Sequence, residues 1–509
     1  MPETKGNLLT EPIIGVRLVG GERREMTLPE VLEGLEGDAI EAFTALQPHQ
    51  KHAWHAFLVQ LAAIALHQAG RSLPVKNAAD WATLLRALTN GRDEPWTLVV
   101  KDLSQPAFMQ PPIPEGNLKE FRPIASFPDE LDILVTAKNH DVKLARCGSP
   151  QDEHWLYALL SLQTMQGFLG AGNYGVARMN GGFSNRPCVT FAPNLNFGQR
   201  FSRDVTLLLH HRHEIAPHLY SASGGQALLW VQPWDGTSSL ALDACDPFFI
   251  EVCRRVRLLT EPAGIVAKGR PTKCARLQAG EVAGNTGDPW TPVNHEGKAL
   301  TIPRTGFSYR RTQELLVGSD FAPGCTQRIS PRDPAELLFV GWALVRGQGK
   351  TEGLHQRTLR IPGHIRRSLA AAEGKVRLEQ LAKRRVTVVG EVQKGVLKPA
   401  LCALLQAGKD TLDFSDERPR RWIDRHESAV DDVFFDHLWA DAELDPAEAD
   451  RRWQTLVLDL ARHQLQHAMT ACPLPAARRY RAWCAAERLF FGLARKKYPE
   501  VELRQGGMA

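Results

Sequence analysis

The spacing of apolar residues predicts helices in the first third of the chain. Over residues 49–67 the apolar positions, Trp54 and Phe57 among them, recur at helical intervals and predict a helix with one buried face. Earlier, Thr27 and Glu30 enclose a proline in the pattern of a capped helix start. Further elements are predicted at three places, namely helices over 79–89 and 152–166 and a pair of strands over 8–18.

The pattern changes twice further along. Residues 187–361 are typical of strands and turns, with strands predicted for VTFAPNL, ALLWVQPW, RVRLL, ARLQ, ALTIP, ELLFVGWALV and LHQRTLRI. Beyond them, helical periodicity recurs in five segments, at 364–384, 389–406, 429–440, 447–471 and 476–498. Short links between such helices favour antiparallel packing. We therefore predict an α+β protein, with a mixed α+β domain over 1–362 and a C-terminal antiparallel four-helix bundle over 363–509.

Composition narrows the class of protein. The chain has 509 residues, a net charge of +5, and apolar and charged fractions of 43% and 23%, which are ordinary for a globular protein. Its nine cysteines form no CxxC pair, which is typical of a reduced, intracellular protein. The N-terminus is polar, and the longest apolar stretch, at 57–66, is too short to span a bilayer. We expect a cytoplasmic protein with no membrane partner.

Glycines are concentrated in residues 166–187, QGFLGAGNYGVARMNGGFSNRP. So many glycines indicate a main chain that bends unusually or touches a partner closely. Asparagines and arginines lie among them, Arg186 included, and supply hydrogen-bond donors suited to a polyanion. Because no acid, base or nucleophile accompanies them, the segment predicts a loop that presses its backbone against a partner.

A second glycine pair lies at the tip of a predicted hairpin. Gly349-Lys350-Thr351 invites comparison with the phosphate loop of NTPases, but the first glycine of that motif would fall on Leu344. The residues that follow alternate like a strand, so no helix N-terminus could hold a phosphate. We interpret the segment as a hairpin with its tip at 346–350, where Gln348 lies between Gly347 and Gly349.

Histidines offer the alternative of a metal-dependent hydrolase. His210, His211, His213 and His218 are clustered, but the HExxH spacing is not met, and an exposed polar loop is the favoured interpretation. A second group, Asp459, His463 and His467, shares one face of a predicted helix, which we expect to be solvated. With no motif for a nucleophile or a carboxylate pair, we predict a protein that is not an enzyme and needs no metal or cofactor.

Three basic or glycine-bearing segments instead favour nucleic acid. They are 136–146, with the sequence TAKNHDVKLAR, the glycine-rich segment, and the group formed by Lys268, Arg270, Lys273 and the hairpin. Lysine and arginine attract phosphates, and exposed backbone amides allow close contact.

The same segments resemble CasA, the large subunit of the type I-E CRISPR Cascade complex of antiviral defence. The opening NLLTEPIIGVR is similar to the family's NLL-x-x-P-W-I-x-V, with Ile13 in place of tryptophan. Residues 106–110 resemble its P-F-M-Q element, AKNHDVK matches a loop segment of several members, and RMNGGFSNRPCVTF is similar to the exit of its glycine loop. The resemblance covers essentially the whole chain.

The resemblance implies a non-enzymatic subunit that recognises the protospacer-adjacent motif in double-stranded DNA and helps to start strand separation and R-loop formation. It assigns roles to four sets of residues. The motif-contacting glycine loop is Gly170, Gly172, Asn173 and Gly175; the wedge hairpin is Gly347, Gln348 and Gly349; the motif lysine is Lys268 or Lys273; and the loop that docks near the 5′ end of the guide RNA is Lys138, Asn139, His140 and Lys143. The implied partners are target DNA, the Cascade subunits that carry the guide RNA, and a recruited nuclease-helicase.

Overall fold

The computed structural model describes residues 4–132, 150–165, 172, 174, 186–215, 219–221, 224–347, 350–407 and 411–502, with the backbone alone at 345–347 and 350–352. They form two compact units, Met1–Phe307 with Asp320–Ile361, and Ser308–Ser319 with Pro362–Ala509. The predicted α+β class is confirmed, since the first unit mixes helices with small sheets and the second is helical. Residues 308–319, which lie within the predicted first domain, pack in the second unit.

Six helices of the first unit position the site. They are α1 (Leu28–Glu36), α2 (Lys51–Gln68), α3 (Ala78–Ala87), α4 (Pro128–Leu131), α5 (Asp152–Met165) and α6 (Phe197–His211). Short 3₁₀ turns lie at Glu94–Trp96, Arg212–Glu214, Leu242–Ala244 and Cys325–Gln327. The predicted start of α1 is confirmed: the Thr27 side chain accepts from the Glu30 N–H, and the Glu30 carboxylate accepts from the Thr27 N–H at 2.7 Å.

Helix α2 is the centre of the first unit's core. It packs against α5, α6 and strand β9 (Cys245–Ile250). The prediction of one buried face is wrong, because every residue from His52 to Leu66 is buried, Gln60 included. The Gln60 side chain donates to the carbonyl oxygens of Phe248 and Phe249 on β9, at 3.2 and 2.9 Å. A helix surrounded on all sides can therefore carry a polar residue, provided that a neighbour accepts its hydrogens.

The strands form six small sheets within the described residues, in the orders β1-β5, β3-β2-β4, β10-β11-β6, β8-β9, β12-β13 and β15-β14-β7. All pairs are antiparallel except β8 with β9. The bounds of the remaining strands are β1 Lys5–Asn7, β2 Ile14–Leu18, β3 Arg23–Met26, β4 Ile40–Phe43, β5 Thr97–Val99, β6 Arg122–Ala125, β7 Cys188–Ala192, β8 Gln226–Leu228, β10 Arg255–Glu261, β11 Gly264–Arg270, β12 Val293–Asn294, β13 Phe321–Ala322, β14 Leu337–Gly347 and β15 Lys350–Ile361.

Several expectations for these elements are wrong. The predicted strands ARLQ and ALTIP form only isolated bridges, at Leu277 and Ala299. The predicted strand pair at 8–18 does not form: β1 pairs with β5, and β2 pairs with β3 and β4. Helix α6 occupies a stretch predicted to be strands and turns. Its buried residues Phe201, Val205 and Leu208 follow the i, i+4, i+7 spacing of a helix, so the signal was present but lay between polar residues.

The second unit is built from helices. They are α7 (Tyr309–Leu316), α8 (Gly363–Ala370), α9 (Ala372–Val392), α10 (Lys398–Leu405), α11 (Arg420–Ala440), α12 (Pro446–Ala471) and α13 (Ala476–Lys497), with a π-helical turn at Gln393–Leu397. Aromatic rings fill its interior. The ring centroid of Phe434 lies 4.7 Å from that of Tyr309 and 5.5 Å from that of Trp453. Across the described residues of both units, no helix combines the length and apolar character needed to cross a bilayer.

Candidate nucleic-acid interface

The glycine-rich segment is closed at its base. The helix before it, α5, ends at Met165, and the strand after it, β7, begins at Cys188. The backbone N–H of Arg186 donates to the carbonyl oxygen of Met165 at 3.5 Å. The described residues that flank the segment, Met165 and Arg186, therefore lie side by side.

The side chain of Gln163 fixes the helical end of that base. Its oxygen accepts from the backbone N–H groups of Cys253 and Arg254, at 2.9 and 2.8 Å. Its nitrogen donates to the carbonyl oxygens of Met109 and Arg254, both at 2.9 Å. All four hydrogen bonds are buried, so Gln163 holds the end of α5 against two distant segments. A polar residue within an apolar helix was the sequence signal, and it was missed.

Arg186 fixes the other end, and its expected role as an exposed donor to a polyanion is wrong. Its Nε lies 2.7 Å from Asp288 Oδ2 and its Nη1 lies 3.8 Å from Glu251 Oε1, with all three side chains 1% exposed. The guanidinium also stacks over the Trp290 ring, 5.2 Å from its centroid. Burial opposes the charge, but the two carboxylates outweigh it and raise the pKa of Arg186. Arg186 is thus an internal anchor of the segment.

Gly172 joins the glycine-rich segment to the end of strand β11. Its carbonyl oxygen accepts from the Thr272 N–H at 2.9 Å. Its φ of +82° is one that side chains disfavour, and an added Cβ would lie 3.0 Å from the Cβ of Pro271. Both the conformation and the limited space therefore favour glycine here. Gly170, Asn173 and Gly175 lie outside the described residues.

The basic residues that follow β10 differ in how their charges are held. Lys268 Nζ lies 3.4 Å from Glu261 Oε1, and Arg270 pairs with the carboxylates of Glu115 and Glu120. Lys273 is exposed, and within the described residues no carboxylate lies within 4.0 Å of its ammonium group. It also follows Thr272, the residue that holds Gly172. The structure therefore places one free cation beside the described part of the glycine-rich segment.

The predicted hairpin forms, and it shares a sheet with the exit of the glycine-rich segment. Strand β14 pairs with β15 along its length and with β7 on its other side, where Cys188 lies opposite Trp342. Beyond that pair, β14 continues to Gly347, opposite Lys350, roughly 16 Å further at about 3.3 Å per residue. The hairpin tip and the entry into β7 thus lie at the same end of the sheet. Gln348 and Gly349 are outside the described residues.

Comparison with known proteins adds the fold family to this geometry. No family model and no curated protein matches the sequence. Among solved structures, CasA (Cse1) of Thermus thermophilus is similar over 97% of this chain and 100% of its own, at 16% identity and a TM-score of 0.63. The chain has the Cse1 fold. Cse1 of Thermobifida fusca gives a TM-score of 0.64 at 16% identity, over 97% of this chain and 98% of that chain.

A third similar structure comes from an assembly. It is a chain of a CRISPR RNA-guided surveillance complex, with a TM-score of 0.60 and 14% identity over 96% of this chain and 100% of that chain. The resemblance to CasA that the sequence motifs predicted is confirmed at the level of the fold.

The Cse1 fold places the Pro106–Gln110 element in its core. Ala107, Phe108, Met109 and Gln110 are all fully buried. The Gln110 side chain donates to the Leu98 carbonyl oxygen at 2.8 Å and accepts from the Leu258 N–H at 2.7 Å. This motif is therefore structural, since it bridges β5 and β10. The expected docking residues Lys138, Asn139, His140 and Lys143 lie outside the described residues.

The histidine cluster has a different setting in this fold from the one predicted. His210 and His211 belong to the last turn of α6, not to a loop. His211 Nδ1 lies 2.9 Å from Glu214 Oε1, and the Arg328 guanidinium contacts both groups. The Arg328 guanidinium thus already contacts the imidazole nitrogen and the carboxylate that a metal would need as ligands. His218 lies outside the described residues.

The second histidine group is solvated, as its helical spacing predicted. Asp459, His463 and His467 are exposed on α12, with the two imidazole rings 4.5 Å apart. Among the residues that the structure describes, no group of three or more His, Cys, Asp or Glu side chains is placed to hold a metal ion.

Proposed function

We propose that this protein is the non-catalytic large subunit of a type I-E CRISPR Cascade complex. In this role it recognises a short duplex motif beside the target and starts strand separation. The observation that carries the proposal is the convergence in one unit of a closed glycine-rich segment, the free cation at Lys273 and the projecting hairpin. The Cse1 fold supports it, as does the similarity to a chain of a surveillance complex.

Backbone contact is the proposed means of motif recognition. Gly172 is held in a conformation that side chains disfavour, and a segment rich in glycine can present main-chain groups to a minor groove without side chains in the way. Minor-groove patterns are degenerate, and we therefore expect several related motifs to be accepted. Of the two candidate lysines we propose Lys273 as the motif contact, because the Lys268 ammonium pairs with Glu261.

Strand separation is assigned to the hairpin tip. Gln348 inserted between base pairs would cost a few kcal/mol of unstacking, which backbone contacts and guide–target pairing then offset. We further propose that residues 138–143 dock on the Cascade subunits that carry the guide RNA. The assembled surface would then serve as the platform for a nuclease-helicase.

The test uses the assembled complex and a target duplex library that randomises the flanking bases. Selection from this library identifies the motif, and a 2-aminopurine base placed beside it reports strand separation. We expect Gln348→Ala to bind the motif duplex but to separate its strands at least tenfold more slowly. Gln232→Ala, a change at an exposed glutamine outside the hairpin, is the matched control. Equal rates for both variants would show that the wedge assignment is wrong.

Alanine variants of the two lysines test which of them contacts the motif. We expect Lys273→Ala to weaken duplex binding and to lower its salt dependence by about one phosphate contact. Lys268→Ala should leave both quantities close to wild type, since its charge is already paired. If Lys268→Ala weakens duplex binding more than Lys273→Ala does, Lys268 is the motif contact. If the wild-type complex shows no preference for any motif, the proposed function is wrong.

A further inference from the structure

A cavity of about 210 Å³ lies at the start of α2, facing the sheet β15-β14-β7. The proposed DNA recognition uses none of its lining residues. Four elements line the cavity. The main lining residues are Lys51 and His52 of α2, Arg200 of α6, Trp342 of β14, and Gln356 and Thr358 of β15.

Two buried nitrogen atoms in its lining have no hydrogen-bond partner among the residues that the structure describes. They are Nε2 of His52 and Nε1 of Trp342, on side chains of residues only 5% and 4% exposed. The indole nitrogen can only donate. Burial lowers the pKa of His52, and its neutral ring donates through Nε2 in one of its two tautomers. Leaving such groups without a hydrogen-bond partner is unfavourable. An acceptor within the cavity would remove that cost.

The lining also carries positive charge that no carboxylate neutralises directly. Within the described residues, the Arg200 guanidinium has no ion pair within 4.0 Å and no side-chain hydrogen bond, and its Nε is buried. The nearby Asp204 carboxylate already interacts with His55 at 2.9 Å and with Arg203 at 3.4 Å. Burial lowers the pKa of Arg200 despite Asp204, which is the mark of a cation short of a counter-ion. Lys51 adds an exposed ammonium group at the rim.

The N-terminus of α2 is a further feature that favours an anion. This helix has 18 residues, its N-cap residue Gln50 makes no capping hydrogen bond, and no acidic residue lies in its first turn. The first N–H groups of a helix lack internal partners and carry the positive end of the helix dipole. Together with the buried donors and Arg200, this arrangement has the chemistry of an oxyanion site.

We propose that the cavity binds a phosphate group, either as inorganic phosphate or on a small phosphomonoester. The tetrahedral oxyanion supplies acceptors for Trp342 Nε1, for His52 and for the helix N–H groups, and its charge pairs with Arg200. The cavity is larger than a phosphate alone, which leaves room for a small organic group. The inference is independent of the proposed DNA recognition.

The test measures binding of inorganic phosphate and of AMP to the full chain, by thermal unfolding and by titration calorimetry, against sodium chloride at matched ionic strength. We expect saturable binding with stabilisation of the wild type. Arg200→Gln should bind at least tenfold more weakly, which corresponds to about 1.4 kcal/mol. Trp342→Phe keeps an aromatic ring but removes the indole N–H donor, and it should also weaken phosphate binding. Tighter binding of AMP would identify a monoester as the source, and otherwise free phosphate is the source.

Arg24→Gln is the matched control, because it removes one positive charge from an exposed position on β3. It should bind phosphate as the wild type does. Unfolding of each variant without phosphate shows whether the fold is intact. The proposal is overturned if the wild type does not bind either ligand, or if Arg200→Gln and Trp342→Phe fold normally and bind as tightly as Arg24→Gln.

Discussion

Replacing Arg186 by methionine tests whether a buried ion pair holds the exit of the glycine-rich segment. The substitution keeps an apolar chain of similar length but leaves two carboxylates, Asp288 and Glu251, without their shared cation. At a separation of 2.7 Å and an effective dielectric constant near 20, the attraction to Asp288 is about 6 kcal/mol before desolvation is subtracted. Breaking a buried pair from one side usually costs about 3–5 kcal/mol. We expect a loss of that size in the free energy of unfolding.

The measurement is urea unfolding followed by tryptophan fluorescence, with the transition of the first unit compared between variants. Arg17→Met is the matched control, because Arg17 pairs with Glu41 at 2.9 Å on the surface, where such pairs contribute about 0–1 kcal/mol. Adding Asp288→Asn to Arg186→Met should recover part of the loss, since it removes a buried charge that no longer faces Arg186. A loss no larger than that of Arg17→Met would refute the anchoring role of Arg186.

Two further predictions address the loop and the response to acid. Gly172→Ala should raise the energy of its left-handed conformation by about 1–2 kcal/mol and weaken motif-dependent DNA binding about tenfold, as measured by fluorescence polarisation. Gly20→Ala, at φ +104° with open space around it, should leave DNA binding unchanged, and an equal effect of both would contradict the assignment. Hydrogen bonds from His211 and Arg328 lower the pKa of Glu214 to about 2, so its contribution to stability is present above pH 4.5 and is lost as the pH falls towards 2. Glu214→Gln should lack this acid-dependent loss in unfolding experiments between those values, and an unchanged pH profile would exclude the pairing.

Local signals were sufficient where the interacting residues are neighbours in the chain. The capping box of Thr27 and Glu30 is closed by residues three apart, so its sequence pattern identifies its structure. The hairpin of β14 and β15 follows in the same way from alternating residues around a glycine-bearing tip. The prediction that a strand and not a helix follows Gly349 is confirmed, since β15 begins at Lys350.

Local sequence patterns did not predict contacts between residues that are far apart in the chain. Nothing near Arg186 in the chain shows that Asp288 and Glu251 lie beside it, and an arginine among glycines is more readily interpreted as a surface donor. Helix α2 carries apolar residues at the spacing of one face, yet its neighbours cover every face. Gln163 and Gln110 are polar positions whose partners all lie in other segments.

Sequence patterns alone were enough to predict a mixed part joined to a helical part and to locate the glycine-rich segment. They also predicted a hairpin whose tip carries a glutamine between two glycines. These properties depend on periodicity and on backbone freedom, which are local. The three-dimensional packing was needed to show that Met165 and Arg186 meet and that Gly172 accepts a hydrogen bond from Thr272. It also showed that, among the described residues, Lys268 pairs with a carboxylate and Lys273 does not. The same packing brings His52, Arg200 and Trp342 together around one cavity. Such arrangements arise from contacts between residues far apart in the chain, and sequence spacing carries no information about which distant surfaces pack together.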